Sequence, residues 1–140
     1  MALTISNALR TAACNAITAL VDAGTLNPNG YVNIYTAPRP SGPTAAPTPA
    51  TRLATVPLSN PAFTQATDGE AVANAMGLTG IPVEGTGTAA WYRVFNRDNI
   101  ALWDGSVTLS GAGGDMQFND IAFVLNGRVV LNSFKAVMPQ

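Results

Sequence analysis

The chain has 140 residues, a length that suits one domain, and 47% of them are hydrophobic whereas only 11% are charged. High hydrophobicity with so little charge excludes a disordered chain, since disorder goes with the opposite composition. The net charge is −1 and the seven basic residues are scattered, so no basic stripe exists to bind nucleic acid. A weakly charged surface loses little on desolvation, which suits a protein that works inside an assembly.

Histidine is absent and Cys14 is the single cysteine. The commonest general base and the commonest zinc ligand are therefore missing, and neither a Cys/His metal cluster nor a Cys–His nucleophile can be assembled. An intrachain disulfide is also impossible. We expect no cofactor and no metal, and we interpret Cys14 as a small buried hydrophobe.

The sequence contains no segment that is typical of export or of a membrane span. Residues 11–21 are the most apolar run near the N-terminus, but Thr11, Asn15 and Thr18 make this run too polar for a signal peptide. No stretch approaches the ~20 apolar residues that a transmembrane helix needs. We expect a soluble protein that is made in a cytoplasm and does not bind membranes.

Residues 1–24 predict one strong helix. Thr4 or Ser6 can cap its first turn, and Gly24 can adopt the left-handed conformation that ends it. Because alanines make the apolar side flat, another backbone can approach closely; either the protein's own sheet or a partner can fill that role, and we favour the sheet. The apolar side is formed by residues at three- and four-residue spacings: Ile5, Leu9, Ala12, Ala13, Ala16, Ile17, Leu20 and Val21.

The period of the pattern then changes to two, which predicts a β-rich body over residues 31–140. Residues 31–36 form its first strand. Residues 37–51 contain five prolines, which exclude a ladder strand and favour a stiff, extended loop. Such a loop either contacts a partner or lies on its own domain. Pro57 marks the next strand, residues 53–58, as an edge or a bulge.

The remaining pattern predicts two hairpins. The first turns at Arg97 and Asp98, and the second turns at Asn126 and Gly127, the residues that a type I′ turn requires. With roughly seven to nine short strands, we predict a mainly β single domain over residues 1–140, an antiparallel β-sandwich or jelly-roll-like barrel with one N-terminal α-helix. The predicted strands are residues 71–76, 88–96, 99–104, 106–109, 121–125 and 128–138, and residues 77–87 form a glycine-rich loop.

A few residue groups retain some potential for chemistry. Ser133 and Lys135 lie two apart on a predicted strand, as in a Ser–Lys nucleophile pair, but a solvated polar face explains them more simply. Carboxylate pairs of the kind that hydrolyse glycosides are also present, and capping of turns is the simpler explanation for them. We therefore expect no catalytic residue and no enzyme. The pairs are Asp98 with Asp104, Asp115 with Asp120, and Asp68 with Glu70.

Aromatic side chains are the remaining candidates for a binding surface. Trp91 and Phe95 share one face of a predicted strand, with Trp103 on the partner strand, and such cross-strand groups commonly form a core. Tyr31 and Tyr35 share their face with a polar residue. We therefore expect these two tyrosines to be the exposed aromatics.

Several segments occur in an order that can be compared with known families: after the N-terminal helix come GYVNIYT (30–36), a Pro/Thr/Ala-rich loop, LATVPLSNPAF (53–63), GTAAWYRVF (87–95), DGSV (104–107) and a final MP (138–139). This order resembles small virion proteins of tailed bacteriophages, often encoded beside the major capsid protein. The resemblance covers nearly the whole chain and concerns packing and turn motifs. It implies a head decoration (cement) protein that binds outside the shell, bridges capsomers and is often a homo-oligomer.

We therefore predict a structural virion protein on the capsid surface, whose partners are the major capsid protein and copies of itself. Two alternatives stay open: a tail, neck or fibre-associated virion protein, and a receptor- or glycan-binding module on the virion surface. We expect contacts from the proline-rich loop, from residues 77–87 and from one end of the helix. The candidate contact residues are Tyr31, Tyr35, Arg39, Pro40, Pro43, Pro47, Ile81 and Pro82.

Overall fold

The computed structural model describes residues 3–74 and 80–139 of the chain. The protein is mainly β, with one N-terminal helix and a seven-stranded mixed sheet that curls into a half-barrel, so the predicted β-rich fold with one helix is confirmed. The elements are the helix α1 (Asn7–Ala19), a 3₁₀ turn (Leu20–Asp22) and the strands β1 (Tyr31–Tyr35), β2 (Arg52–Pro57), β3 (Glu70–Val72), β4 (Ile81–Pro82), β5 (Gly87–Thr88), β6 (Trp91–Phe95), β7 (Ala101–Leu109), β8 (Met116–Phe118), β9 (Ala122–Phe123), β10 (Arg128–Val129) and β11 (Leu131–Val137).

The helix begins where Ser6 predicts, but it ends before Gly24: α1 ends at Ala19, the 3₁₀ turn ends at Asp22, and Ala23 is extended. The Ser6 side chain accepts a hydrogen bond from the backbone N–H of Leu9 at 3.1 Å, which satisfies one free donor of the first turn. Beyond the 3₁₀ turn, Gly24 has a φ of +118°. A Cβ atom there would lie 2.6 Å from the Asp98 Oδ1 atom. Glycine is therefore required both by the backbone conformation and by the close approach of the β6–β7 turn.

The large sheet has the strand order β2-β1-β6-β7-β8-β11-β3, and its neighbours are antiparallel except for one pair. Strands β7 and β8 run parallel, with Val107 opposite Met116. The expected antiparallel arrangement is therefore wrong in this place. In the loop between β7 and β8, Gly111 and Gly113 have positive φ. These conformations, which glycine adopts easily, allow a short loop to bring the chain back beside β7 in the same direction. Pro57 ends the edge strand β2, as predicted.

The hairpin predicted to turn at Arg97 and Asp98 is confirmed, because β6 pairs antiparallel with β7. Strand β7 continues through Gly105, opposite Tyr92. The Tyr92 ring lies across this glycine, where a methyl group would overlap it. Of the predicted strand 71–76 the structure shows β3, and its last residues, like residues 77–79 of the predicted loop, lie outside the described residues.

The predicted C-terminal hairpin is wrong. Strand β9 pairs with β5, and β10 pairs with β4, so the segments on either side of the turn do not pair with each other. The Gly127 N–H donates to the Val124 carbonyl at 2.8 Å, but only Asn126 has a positive φ, of 69°. A type I′ turn needs positive φ at both central residues. The turn is therefore of another type, and it directs the two strands to different partners.

The curled sheet buries side chains on both faces. Its inner face carries the hydrophobic core, to which Cys14 of the helix and Ile81 of β4 contribute. Its other face is covered by the proline-rich loop, residues 37–51, which contacts Arg93. Buried members of the inner face include Val32, Ile34, Tyr92, Val94, Phe118 and Phe134.

Candidate interaction surface

The proline-rich loop lies on its own domain. The Arg93 guanidinium projects from β6 into the loop and donates to the carbonyl oxygens of Ala45 at 2.8 Å and Gly42 at 2.9 Å. These two bonds satisfy backbone acceptors in a segment whose prolines cannot form a ladder. Of the two roles open to this loop, packing on its own domain is the one observed.

A buried ion pair holds the arginine that anchors the loop. Arg93 contacts both carboxylate oxygens of Asp104, at 2.7 Å and 3.0 Å, and the two side chains are 5% and 2% exposed. The hydrogen bonds to Asp104 raise the pKa of Arg93. Its guanidinium carbon also lies 5.3 Å from the Trp91 ring centroid. Sequence reasoning missed this anchor. The available signal was Arg93 itself, a charged residue on the same strand face as Trp91 and Phe95.

The candidate contact residues differ widely in exposure. Tyr35 and Ile81 are 6% and 2% exposed, so the prediction that they are accessible for contacts is wrong. Tyr35 stacks on Trp91 beneath the loop, with ring centroids 4.4 Å apart, and Ile81 belongs to the core. Arg39 and Pro82 are exposed. The half-buried candidates are Tyr31, Pro40, Pro43 and Pro47.

The aromatic residues form two groups rather than one. Trp91 is buried, as predicted for a core residue, and Phe95 is half-buried and stacks on Tyr31 with ring centroids 4.9 Å apart. Trp103 lies opposite Val94, so it points to the other face of the sheet. The prediction that Trp103 joins the other two is therefore wrong, because the register of the hairpin decides the face. No row of exposed aromatics results from these residues.

The groups with potential for chemistry have structural partners. The Lys135 ammonium pairs with Glu70 at 2.9 Å rather than with Ser133. Asp98 accepts hydrogen bonds from two backbone N–H groups that precede β1, and these bonds lower its pKa. Asp120 accepts a bond from the first backbone N–H of β9 at 2.9 Å. Capping and ion pairing therefore account for these side chains.

One small pocket gathers titratable groups beside the core. It encloses about 220 Å³, and its lining includes Tyr92, Trp103, Asp115 and Lys135. Burial raises the pKa of both Tyr92 and Asp115. The phenol and the carboxyl can exchange a hydrogen bond with each other or with a small polar molecule. The nearby ammonium is already engaged by Glu70.

The helix buries a different side from the one expected. The side chains that it buries are Arg10, Cys14 and Thr18, followed by Val21 of the 3₁₀ turn. The prediction that its apolar side packs on the sheet is therefore wrong for Leu9, Ala12, Ala16 and Leu20, whereas Val21 is buried as predicted. Between residues 8 and 20, every exposed residue is alanine or leucine. We call these residues the outer face; they are Ala8, Leu9, Ala12, Ala16, Ala19 and Leu20.

Polar side chains account for this orientation. The chain between β2 and β3 is irregular, so its backbone N–H groups need partners outside a ladder. The inward side of the helix supplies oxygen acceptors for them. Hydrophobic periodicity cannot reveal this, because it does not show where unpaired donors lie. The bonds run from Gly69 N–H to Thr11 Oγ1 at 3.0 Å, from Ala66 N–H to Asn15 Oδ1 at 2.8 Å, and from Ala62 N–H to Asp22 Oδ1 at 3.0 Å.

A second exposed apolar patch lies at the turn between β9 and β10. Val124 and Leu125 are 62% and 51% exposed. A groove of about 340 Å³ opens beside them, and its lining includes Val83 and Val130 together with charged Arg128. Because charged and apolar residues mix here, this patch is less distinctive than the outer face.

Within residues 3–74 and 80–139, no group of His, Cys, Asp and Glu is placed to hold a metal ion. The helices of that same part of the chain are all too short or too polar to cross a membrane. No protein-family model, no curated protein and no solved structure matches the chain. Function is therefore inferred from the surface of the molecule, of which the outer face is the most distinctive part.

Proposed function

We propose that this chain is a structural protein of a tailed-bacteriophage particle, a head decoration protein that binds the outer shell and stabilises it. One observation carries the proposal: between residues 8 and 20 every exposed residue is alanine or leucine, while the polar side chains of the same stretch are buried or half-buried. An isolated chain gains nothing from such a face. An assembly that covers it gains about 25 cal/mol for each Å² of apolar surface removed from water.

Two further features support a role in assembly rather than in catalysis. The surface is weakly charged, so desolvation costs little over a wide area. The proline-rich loop is fixed by Arg93 and presents a constant shape to a neighbour. Many symmetry-related copies that each bury a modest patch bind firmly together, because every contact after the first is effectively intramolecular. The partners in this proposal are the major capsid protein and further copies of the chain.

The two alternatives have different support. A tail, neck or fibre-associated protein would use the same surfaces, and only its location and number would differ. A receptor- or glycan-binding module would need exposed aromatics, but Tyr35 and Trp91 are buried and Tyr31 stacks on Phe95. The geometry therefore supports an assembly surface better than a sugar-stacking platform.

The test of the proposal is the copy number of the chain in purified particles. Quantitative mass spectrometry with labelled peptides would give its ratio to the major capsid protein. A shell-wide decoration protein gives a simple large ratio. A handful of copies per particle would assign it to the neck, tail or fibre instead, and absence from the particle would overturn the virion role altogether.

A further inference from the structure

We propose that the outer face binds the outer face of a second copy, with the two helices antiparallel about a two-fold axis. The axis passes the midpoint of the helical segment formed by α1 and the 3₁₀ turn, residues 7–22, between Cys14 and Asn15. This inference deepens the proposed function, on which it rests for its setting in a particle, by naming the surface that joins two copies. A two-fold contact of this kind needs a patch that is complementary to itself.

The leucines near the N-terminus have this self-complementary placement. Leu9 and Leu20 lie equally far along the helical segment from the midpoint, and Leu3 and Leu26 lie beyond its two ends at equal distances in sequence. The members of each pair also match in exposure: 54% and 51% for the inner pair, and 83% and 72% for the outer pair. In an antiparallel pair, Leu9 of one copy lies beside the partner's Leu20. The two halves of the contact are then equivalent.

Small side chains occupy the space between the inner leucines. Ala12 and Ala16 are both exposed there, so the surface is flat at the crossing point. With alanine at the contact, two helix axes can approach to the lower end of the usual ~8–10 Å range. Leu9 and Leu20 then close over the alanines from both ends. A shell protein of different sequence would need no such symmetry, and the symmetry is why we choose a second copy as the occupant.

Charge favours the same arrangement. The two charged residues of the helical segment point away from the outer face: Arg10 donates to the Met138 carbonyl at 2.8 Å, and Asp22 accepts from the Ala62 N–H at 3.0 Å. No like charges therefore meet at the contact. Antiparallel helices also bring the partly positive N-terminus of one copy beside the partly negative C-terminus of the other. A parallel pair would bring like ends together.

The size of the contact limits its strength. A helix of 13 residues is about 20 Å long at a rise of 1.5 Å per residue. Even with the outer leucines, such a strip falls short of the ~800 Å² per partner that a stable interface buries. We therefore expect a weak dimer in dilute solution. The pairing becomes complete where an assembly holds copies close together.

The first test measures association of the purified full-length chain by sedimentation equilibrium over a wide concentration range. We expect a reversible monomer–dimer equilibrium. Leu20→Lys should lower the association constant about tenfold or more, because it places a charge in an apolar contact. Leu125→Lys is the matched control, since Leu125 is also 51% exposed but lies far from the helix in sequence, and it should leave the constant unchanged.

The second test determines the orientation of the two helices by disulfide trapping. Position 16 lies close to the proposed axis, so Ala16→Cys should form a disulfide-linked dimer with itself under mild oxidation. Position 9 lies far from the axis, so Leu9→Cys should not link to itself. It should link to Leu20→Cys when the two variants are mixed. The unmodified chain is the control, since its Cys14 is buried.

A chain that stays monomeric at every concentration and forms no Ala16→Cys dimer overturns the inference. Self-linking of Leu9→Cys contradicts the antiparallel orientation, and equal loss of association in Leu125→Lys contradicts the assignment to the outer face. The two proposals fail separately. A monomeric chain that is abundant on particles removes the pairing and keeps the virion role, whereas a dimeric chain absent from particles does the reverse.

Discussion

The proline-rich loop and the N-terminal helix are both joined to the β body by polar contacts, but in different ways. The loop depends mainly on one buried guanidinium, that of Arg93 in the sheet, and Arg39 of the loop adds an exposed bond to the Asp104 carbonyl at 3.3 Å. The helix depends on several side chains, including Thr11 and Asn15, that each accept one backbone hydrogen bond. A single strong anchor fixes the shape of a segment that has no ladder of its own. Distributed weak anchors instead orient a regular element, and they leave its apolar side uncovered.

This difference has an energetic consequence. Removal of the loop's anchor leaves a buried charge without a partner, whereas removal of one helix contact leaves a single unsatisfied N–H group. The outer face itself contributes little to the stability of the isolated chain. Three substitutions test these statements, and a fourth, at Asp115, tests the pocket; they follow in order of decreasing effect on stability.

Arg93→Met should have the largest effect. It leaves the Asp104 carboxylate buried without its partner, and such a change costs about 3–5 kcal/mol of unfolding free energy. Urea unfolding measures it. The double variant Arg93→Met with Asp104→Leu should recover much of the loss, because an apolar pair can replace a buried ion pair. A loss below about 1 kcal/mol in the single variant would show that the pair is not the anchor.

Asn15→Ala should have an intermediate effect. It removes the acceptor of the Ala66 N–H, and a lost hydrogen bond of this kind costs about 1 kcal/mol. The comparison is Asn132→Ala, which removes an exposed side-chain bond and should change stability by less than about 0.5 kcal/mol. Equal losses in the two variants would contradict the role of Asn15 in orienting the helix.

Asp115→Asn should have a smaller effect that depends on pH. Burial raises the pKa of Asp115 in the folded chain, although Arg39, Tyr92 and Lys135 oppose this in part. The folded state therefore binds this proton more tightly than the unfolded state, and the stabilisation is present below the ordinary pKa of about 3.9 and is lost as the pH rises above it. The variant cannot ionise, so it should match the wild type near pH 3 and exceed it at neutral pH. Unfolding curves across this pH range measure the difference in stability between the variant and the wild type. A variant that is less stable than the wild type at neutral pH would contradict the prediction.

Leu20→Lys should have the smallest effect on the fold. Exposed substitutions usually change stability by less than about 0.5 kcal/mol, and Leu20 is 51% exposed. Thermal unfolding of the dilute, monomeric chain is the measurement. A loss of several kcal/mol would show that the outer face packs against the body, and it would remove the basis for an interaction surface.

The sequence predicts correctly those parts of the fold in which a residue determines the conformation of its own backbone. Ser6 caps the helix, Gly24 adopts a positive φ, and Pro57 lies on an edge strand because each residue acts on its own backbone. The predicted hairpin at Asn126 is wrong because β9 pairs with β5 and β10 pairs with β4. Both partners lie far along the chain, and no local signal indicates these pairings. Long-range pairing overrides the turn.

The candidate surface depends on long-range contacts in the same way. The apolar stripe of the helix is visible in the sequence, but its direction depends on the donors of residues 62, 66 and 69, which lie far along the chain. Likewise, the prolines of the loop do not indicate that Arg93 of the sheet donates hydrogen bonds to the loop's carbonyl groups. A stripe can therefore be predicted more easily than the side of the molecule on which it lies.

We expect the outer face to be free in the isolated chain and covered in an assembled particle. Maleimide labelling of Ala16→Cys tests it directly, since this position lies in the middle of the outer face whereas Cys14 is buried. We expect rapid labelling in the dilute chain and strong protection in purified particles. Equal labelling in both would contradict the account.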